Sequence, residues 1–145
     1  MKKQGGFTII EVVLVLAIAG LIFLIVFLAL PQLQAGRRDT ARKSDLGKIA
    51  GALSTYASAN MGAYPTTASE LTAFSTAYTS NFKDPLSGNA YNIQFGTGAS
   101  SNKGWVFYKT AAKCDSTGTA ADSAASTNNI AISIRLEKGI HCITI

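Results

Sequence analysis

The chain opens on a pattern that leaves few structural options. A short basic leader, Met1-Lys-Lys-Gln-Gly-Gly6, is followed by Phe7-Thr-Ile-Ile-Glu11, an apolar run to Leu30, and a proline at position 31. As a helix rising about 1.5 Å per residue, Phe7 to Leu30 measures about 36 Å, enough to cross a hydrocarbon core about 30 Å thick. The run carries one charge, Glu11. A carboxylate costs on the order of 2.5–3.5 kcal/mol near the centre of such a span and less towards its end, so Glu11 calls for a partner. A cleaved secretory signal has an apolar stretch of about 7–15 residues and a small-residue cleavage site. This run is longer and meets Pro31 and charged sequence instead. A plain single-pass anchor fits the length and gives Glu11 no role.

Charge is placed unevenly behind this segment. The chain has 145 residues and a formal charge of +5. Lys2 and Lys3 lie in the leader, and residues 32–60 hold Arg37, Arg38, Arg42, Lys43 and Lys48 against Asp39 and Asp45. Residues 61–145 are nearly balanced, so the high pI belongs to leader and stem rather than to a basic face on the C-terminal part. That weakens a nucleic-acid reading built on pI alone. Cytoplasmic flanks of a span usually hold the excess of Lys and Arg, and by raw count the four cations from Arg37 to Lys43 outnumber Lys2 and Lys3. After the leader, span and stem, the chain has material for one domain of about 85 residues.

In the stem, Leu46, Ile49, Ala50, Leu53, Tyr56 and Ala57 recur at spacings of three and four. They form one apolar stripe at the helical period, suited to carry a packed head. A helix from Phe7 to about Asn60 would be roughly 80 Å long. Pro31 lacks the donor for the preceding turn and should kink or loosen it, and Gly20 lowers helical preference by up to about 1 kcal/mol. Termination is expected near Asn60-Met-Gly62. Thr67 to Glu70 has the form of a capping box before a short helix. Asn81 to Tyr91 is rich in turn residues. Four strand candidates then follow: Tyr91/Ile93/Phe95, Trp105–Tyr108, Ile130/Ile132/Ile134/Leu136 and Ile140–Ile145. Glu137-Lys138-Gly139 should join the last two as a hairpin, with Gly139 at the position needing positive φ. The fold class is α+β, one long helix packed against a small antiparallel sheet.

Lys2, Lys3, Gly5, Gly6, Phe7, Thr8 and Glu11 resemble the class III signal of type IV pilins and the related pseudopilins. The resemblance implies a pilin-like fold, cleavage between Gly6 and Phe7 by a prepilin peptidase on the cytoplasmic side, and N-methylation of Phe7 by the same enzyme. It gives Glu11 a partner as well, since family filaments are thought to neutralise this glutamate against the Phe amine of a neighbouring subunit. That agrees with the need to pair a buried charge. Family pilins carry a small residue and a proline in the span, here Gly20 and Pro31, and their filaments often melt the helix between them. Tyr64-Pro65, Asp84-Pro85, Gly88 and Tyr91 resemble the αβ-loop of pilins and major pseudopilins. Pseudopilins commonly have a Trp after the Asp-Pro pair, where this chain has Leu86.

The resemblance implies a domain plan of leader 1–6, transmembrane and filament-core helix 7–31, amphipathic stem 32–60 and globular head 61–145. In an exported head the only two cysteines, Cys114 and Cys142, read as a disulfide. Such a bridge would stabilise by roughly 3–4 kcal/mol through loop-closure entropy, with Asp115 to Asn129 as an exposed loop between strands. The site and the cysteines favour the head outside the membrane, against the raw cation count. Self-polymerisation, the pilus assembly platform and its ATPase machinery are the implied partners, and no cofactor is implied.

Enzymatic readings are thin, with no G-x-S-x-G, H-E-x-x-H, P-loop or paired-carboxylate pattern. The single histidine, His141, falls on a terminal strand. Asp115 and Asp122 could offer oxygens to calcium, which some major pseudopilins bind, but a site takes about 6–8 ligands. Lys103, Lys109 and Lys113 could touch DNA phosphates, and more often form a solvated face. The expected function is a structural subunit of a type IV pilus. The alternatives are a pseudopilin of a type II secretion or competence system and a membrane-anchored binding domain that does not polymerise.

Overall fold

The structure is a computed structural model; it describes residues 6–96, 102–118 and 129–145, and the backbone of 121–122. Residues 1–5 of the leader lie outside the described residues, as do parts of the Asp115–Asn129 segment. Helix α1 spans Ile9–Ala59. The chain divides into two compact units, Met1–Ala35 and Gly36–Ile145.

In the first unit the helix runs on through Gly20 and Pro31 without a break in its assignment. Its large apolar side chains are exposed, from Phe7 and Ile9 through Leu16 and Phe27 to Leu33. Such a surface, apolar on all sides, suits lipid or other helices and not water.

The second unit is built on the rest of α1. Leu46, Ile49, Leu53 and Ala57 are buried on one face, the stripe that the helical period predicts. The helix stops where Gly62 N–H reaches back to the Ala57 carbonyl at 2.7 Å and the chain passes through positive φ at Met61 and Gly62. Helix α2, Ala68–Phe74, starts on a capping box in which Thr67 accepts from Glu70 N–H and the Glu70 carboxylate accepts from Thr67 N–H. One turn of π-helix, Ser75–Thr79, continues it. Phe74 stacks on Tyr78 at 5.5 Å and meets Tyr56 of α1 edge-on at 5.7 Å, which fixes α2 to the end of the stem.

The strands are β1 Asn92–Phe95, β2 Trp105–Thr110, β3 Lys113–Cys114, β4 Ala121–Asp122, β5 Ile130–Arg135 and β6 Ile140–Thr144. Four of them form one sheet in the order β1-β2-β5-β6, and β3 pairs with β4 separately. The sheet is mixed, not antiparallel throughout: β1 runs parallel to β2, with Asn92 opposite Trp105 and Phe95 opposite Tyr108. Alternation of apolar residues fixes which face a strand shows and not which way its neighbour runs, so the direction of β1 left no mark in the sequence.

One face of the sheet places Val106, Tyr108, Ile130, Ile132 and Ile134 against Leu46, Ile49 and Leu53, with Leu71 and Phe74 closing the core. Each fully buried aliphatic side chain there contributes about 1.5–3 kcal/mol. The other face is covered as well, since Ala131 packs with Ala112 and the Cys114–Cys142 pair, and Ser133 is buried. The β5–β6 turn closes with Leu136 N–H on the Gly139 carbonyl at 3.0 Å. Gly139 has φ +96°, which a residue bearing a Cβ adopts only under strain.

Candidate functional site

The apolar span begins with a local hydrogen-bond motif around Glu11. Its Oε2 accepts from Thr8 N–H at 2.8 Å and from the Thr8 hydroxyl at 2.7 Å, while Glu11 N–H donates to Thr8 Oγ1 at 3.4 Å. With Ile9 as the first helical residue, Thr8 stands as the N-cap and Glu11 three residues on, which is a reciprocal capping box. Thr-x-x-Glu is therefore a helix-start signal legible in the sequence, beside the charge that Glu11 brings to the span. The box satisfies two N-terminal donors, and the carboxylate sits at the positive end of the helix dipole. Only Oε2 takes part. Phe7, one residue ahead, is almost fully exposed at 92%.

In the second unit the loop carrying Asp84-Pro85 is held by a charge that sequence reading counted only as part of a basic run. Arg42 is completely buried. Its Nε donates to Asp84 Oδ1 at 2.6 Å, and its Nη1 donates to Glu137 Oε1 at 3.2 Å. Asp84 Oδ2 turns back to accept from Leu86 and Ser87 N–H groups at 3.2 and 3.0 Å. Glu137 also accepts from Arg38 at 3.2 Å and from Lys103, and its own N–H donates to Asp39 at 2.7 Å. One side chain of the stem thus ties the loop and the β5–β6 turn to the helix. Gly104 makes room for this, because a Cβ there would lie 3.2 Å from Asp84 Cγ and φ is +81°.

Burial would lower the Arg42 pKa, yet its bonds to Asp84 and Glu137 more than offset that, so its charge is held. Burial pushes Asp84 up, and the Arg42 bond together with the Ser87 and Leu86 N–H groups brings it below the usual aspartate range. Glu137 is lowered, first by Lys103 and then, against burial, by Arg42. Beside this cluster the Tyr91 hydroxyl donates to Asp45 at 3.0 Å, joining the head of β1 to the stem.

Cys114 and Cys142 are bonded, with Cα atoms 5.7 Å apart. Gly118 accepts from Cys142 N–H at 2.8 Å, so the segment after β3 lies along the free edge of β6. The remaining candidates are scattered. His141, on β6, is lowered by burial and by Lys43. Lys103 is engaged with Glu137 and therefore does not join Lys109 and Lys113 in a free basic patch. Among the described residues no group of three His, Cys, Asp or Glu side chains is placed to hold a metal. The Asp122 side chain lies outside the described residues. The structure thus brings Phe7, Thr8 and Glu11 together at one end of the span and leaves the cysteine pair as a separate fastening in the second unit.

No curated protein and no solved structure matches the chain. The N-terminal segment, residues 1–27, is similar to the prokaryotic N-terminal methylation motif, the motif of the class III signal peptide of type IV pilins and pseudopilins.

Proposed function

We propose that the chain is the precursor of a structural subunit, a pilin, that is cut between Gly6 and Phe7, methylated on Phe7 and polymerised through its apolar helix into a type IV pilus. The observation that carries this reading is the methylation motif joined to a helix whose large apolar side chains, from Ile9 to Leu33, are exposed among the described residues. Before assembly that surface is matched by lipid; in a filament it is matched by the same surface of other copies. Glu11 supplies order. In the single chain its carboxylate is held by Thr8 through Oε2. Cutting before Phe7 creates a cationic amine, and the amine of a neighbouring copy can neutralise the carboxylate where water cannot. Gly20 and Pro31 are the positions where the helix would give on assembly. The prepilin peptidase, the assembly platform and its ATPase are the partners such a route needs.

The test is direct. Filaments sheared from cells producing the chain should contain it starting at N-methylated Phe7 by mass spectrometry. Glu11→Ala should leave it membrane-inserted and cut while abolishing filaments. Normal filament yield from that variant would remove the assembly role of Glu11. Processed protein without external fibres, coupled to a secretion defect, would replace the pilus with a pseudopilus, and uncut monomer would replace both with an anchored domain.

A further inference from the structure

The acids around the first turns of the stem are committed to cations of their own. Asp39, Asp84 and Glu137 pair with Arg38, Arg42 and Lys103, three charges against three. Asp45, the next acid along α1, is held by Lys48 and by the Tyr91 hydroxyl. That leaves Arg37, Lys43 and Lys138, which are exposed and form no ion pair among the described residues.

The three free cations surround the stem. A helix turns about 100° per residue, so Arg37 and Lys43 lie about 120° apart around the axis of α1 and about 9 Å apart along it. Lys138 arrives from far away in sequence. Glu137 N–H donates to Asp39 at 2.7 Å, and Glu137 Oε1 accepts from Arg38 and Arg42 at 3.2 Å. These bonds set the β5–β6 turn, with Lys138 in it, against the remaining side of the stem, level with the stretch between Arg37 and Lys43. Arg37 follows Leu33, the last exposed large apolar side chain of the span, by four residues, about 6 Å of helix. Headgroups add about 5–7 Å to each side of a hydrocarbon core. A compact anion would call for cations converging on one side of the helix. A ring of them, one turn beyond the apolar run, fits a charged surface that the helix passes through.

We propose that this ring binds the headgroups of anionic phospholipids, with the Arg37 fork on a phosphate and Lys43 and Lys138 above it, and so fastens the β5–β6 turn to the membrane surface. The proposal rests on insertion of the span and not on polymerisation into a filament.

The experiment is electron spin resonance of the full chain in phosphatidylcholine bilayers carrying a trace of chain-labelled phosphatidylglycerol or phosphatidylcholine. Immobilised phosphatidylcholine label reports insertion alone, and its absence would overturn the membrane reading together with the ring. With the chain inserted, the phosphatidylglycerol label should associate several-fold more strongly. The preference should collapse as salt rises from about 0.1 M to about 1 M, where the screening length falls from about 10 Å to about 3 Å. Replacing Arg37, Lys43 and Lys138 together by Gln should remove most of it. Lys138→Gln alone should lower it about twofold or more, since one cation near an anionic surface contributes up to about fivefold. That variant should melt as the parent does, because Lys138 holds no ion pair among the described residues. Lys2→Gln with Lys3→Gln should leave the larger part of the preference in place, and inorganic phosphate at equal ionic strength should not compete. Equal association of the two labels, a preference carried by Lys2 and Lys3 alone, one untouched by Lys138→Gln, or displacement by inorganic phosphate would overturn the proposal.

Discussion

The buried Arg42 gives the sharpest stability prediction. Replacing it with Met keeps most of the side chain's volume and deletes the charge that holds Asp84, which is itself buried, through a 2.6 Å bond. Removing one partner of a buried ion pair typically costs about 3–5 kcal/mol, because the other is left uncompensated. Two features place Arg42→Met at the lower end. Asp84 keeps the Leu86 and Ser87 N–H groups, and Glu137 keeps Arg38 and Lys103. We therefore expect a loss of about 3 kcal/mol, which for a unit of this size lowers the melting temperature by about 10 °C or more. The chain has one tryptophan, Trp105 on β2, so fluorescence during thermal or urea unfolding of the purified full chain in detergent reads this unit directly. Adding Asp84→Asn to Arg42→Met should recover more than half of the loss, since the amide oxygen still accepts from the loop and no charge is stranded. A single-variant loss below about 1 kcal/mol, within the range of an exposed pair, would refute the clamp. So would a double variant as weak as the single one.

Acid should act on the same cluster. Asp84 and Glu137 are both held below their ordinary values of 3.8 and 4.5, so the stabilisation they supply is fully present above those values and is lost as pH falls through the lower folded-state ones. The Trp105 unfolding midpoint should stay level from neutral pH to about 5 and drop below about 4, with a shallower drop in Asp84→Asn; a midpoint level down to pH 2 would contradict this. Replacing both cysteines by serine opens a bridge with a sequence separation of 28. It should cost about 3–4 kcal/mol in the same assay, and an unchanged midpoint would show that the segment covering Ala131 is held without it.

Much of the fold was legible because its elements obey a period. Leu46, Ile49, Leu53 and Ala57 state the buried face of the stem, Ile130, Ile132 and Ile134 state one face of β5, and Thr67 with Glu70 states where α2 begins. What stayed hidden depended on partners far away in sequence. Arg42 lies four residues before Leu46, on the same stripe, and a cation on an apolar stripe needs a distant acid; counting it with Arg37, Arg38 and Lys43 as a basic flank concealed that. Ser133 and Ala131 alternate with the isoleucines and so suggest a solvated face. Both are buried, Ala131 against Ala112 and the Cys114–Cys142 pair, a cover that local pattern cannot register. Around the candidate assembly site the apolar span was readable, and the Thr8 side of the capping box to Glu11 was present in the sequence as Thr-x-x-Glu.

The same arginine bears on membrane orientation. Counted as flanking charges, Arg37, Arg38, Arg42 and Lys43 oppose Lys2 and Lys3 and favour a cytoplasmic head. In the folded unit Arg42 is buried between Asp84 and Glu137, and Arg38 is bonded to Glu137. Their positions follow from the need to fasten a loop and a hairpin to the stem, so the cluster has a folding cause independent of topology. Arg37 and Lys43, which remain exposed, then only equal the two lysines of the leader. With the flanks level, the proposed orientation rests on the methylation motif at residues 1–27 and on the Cys114–Cys142 bond. A bond of that kind persists in oxidising compartments and is rare in the cytosol. Both agree with the outward head that the proposed filament subunit would need.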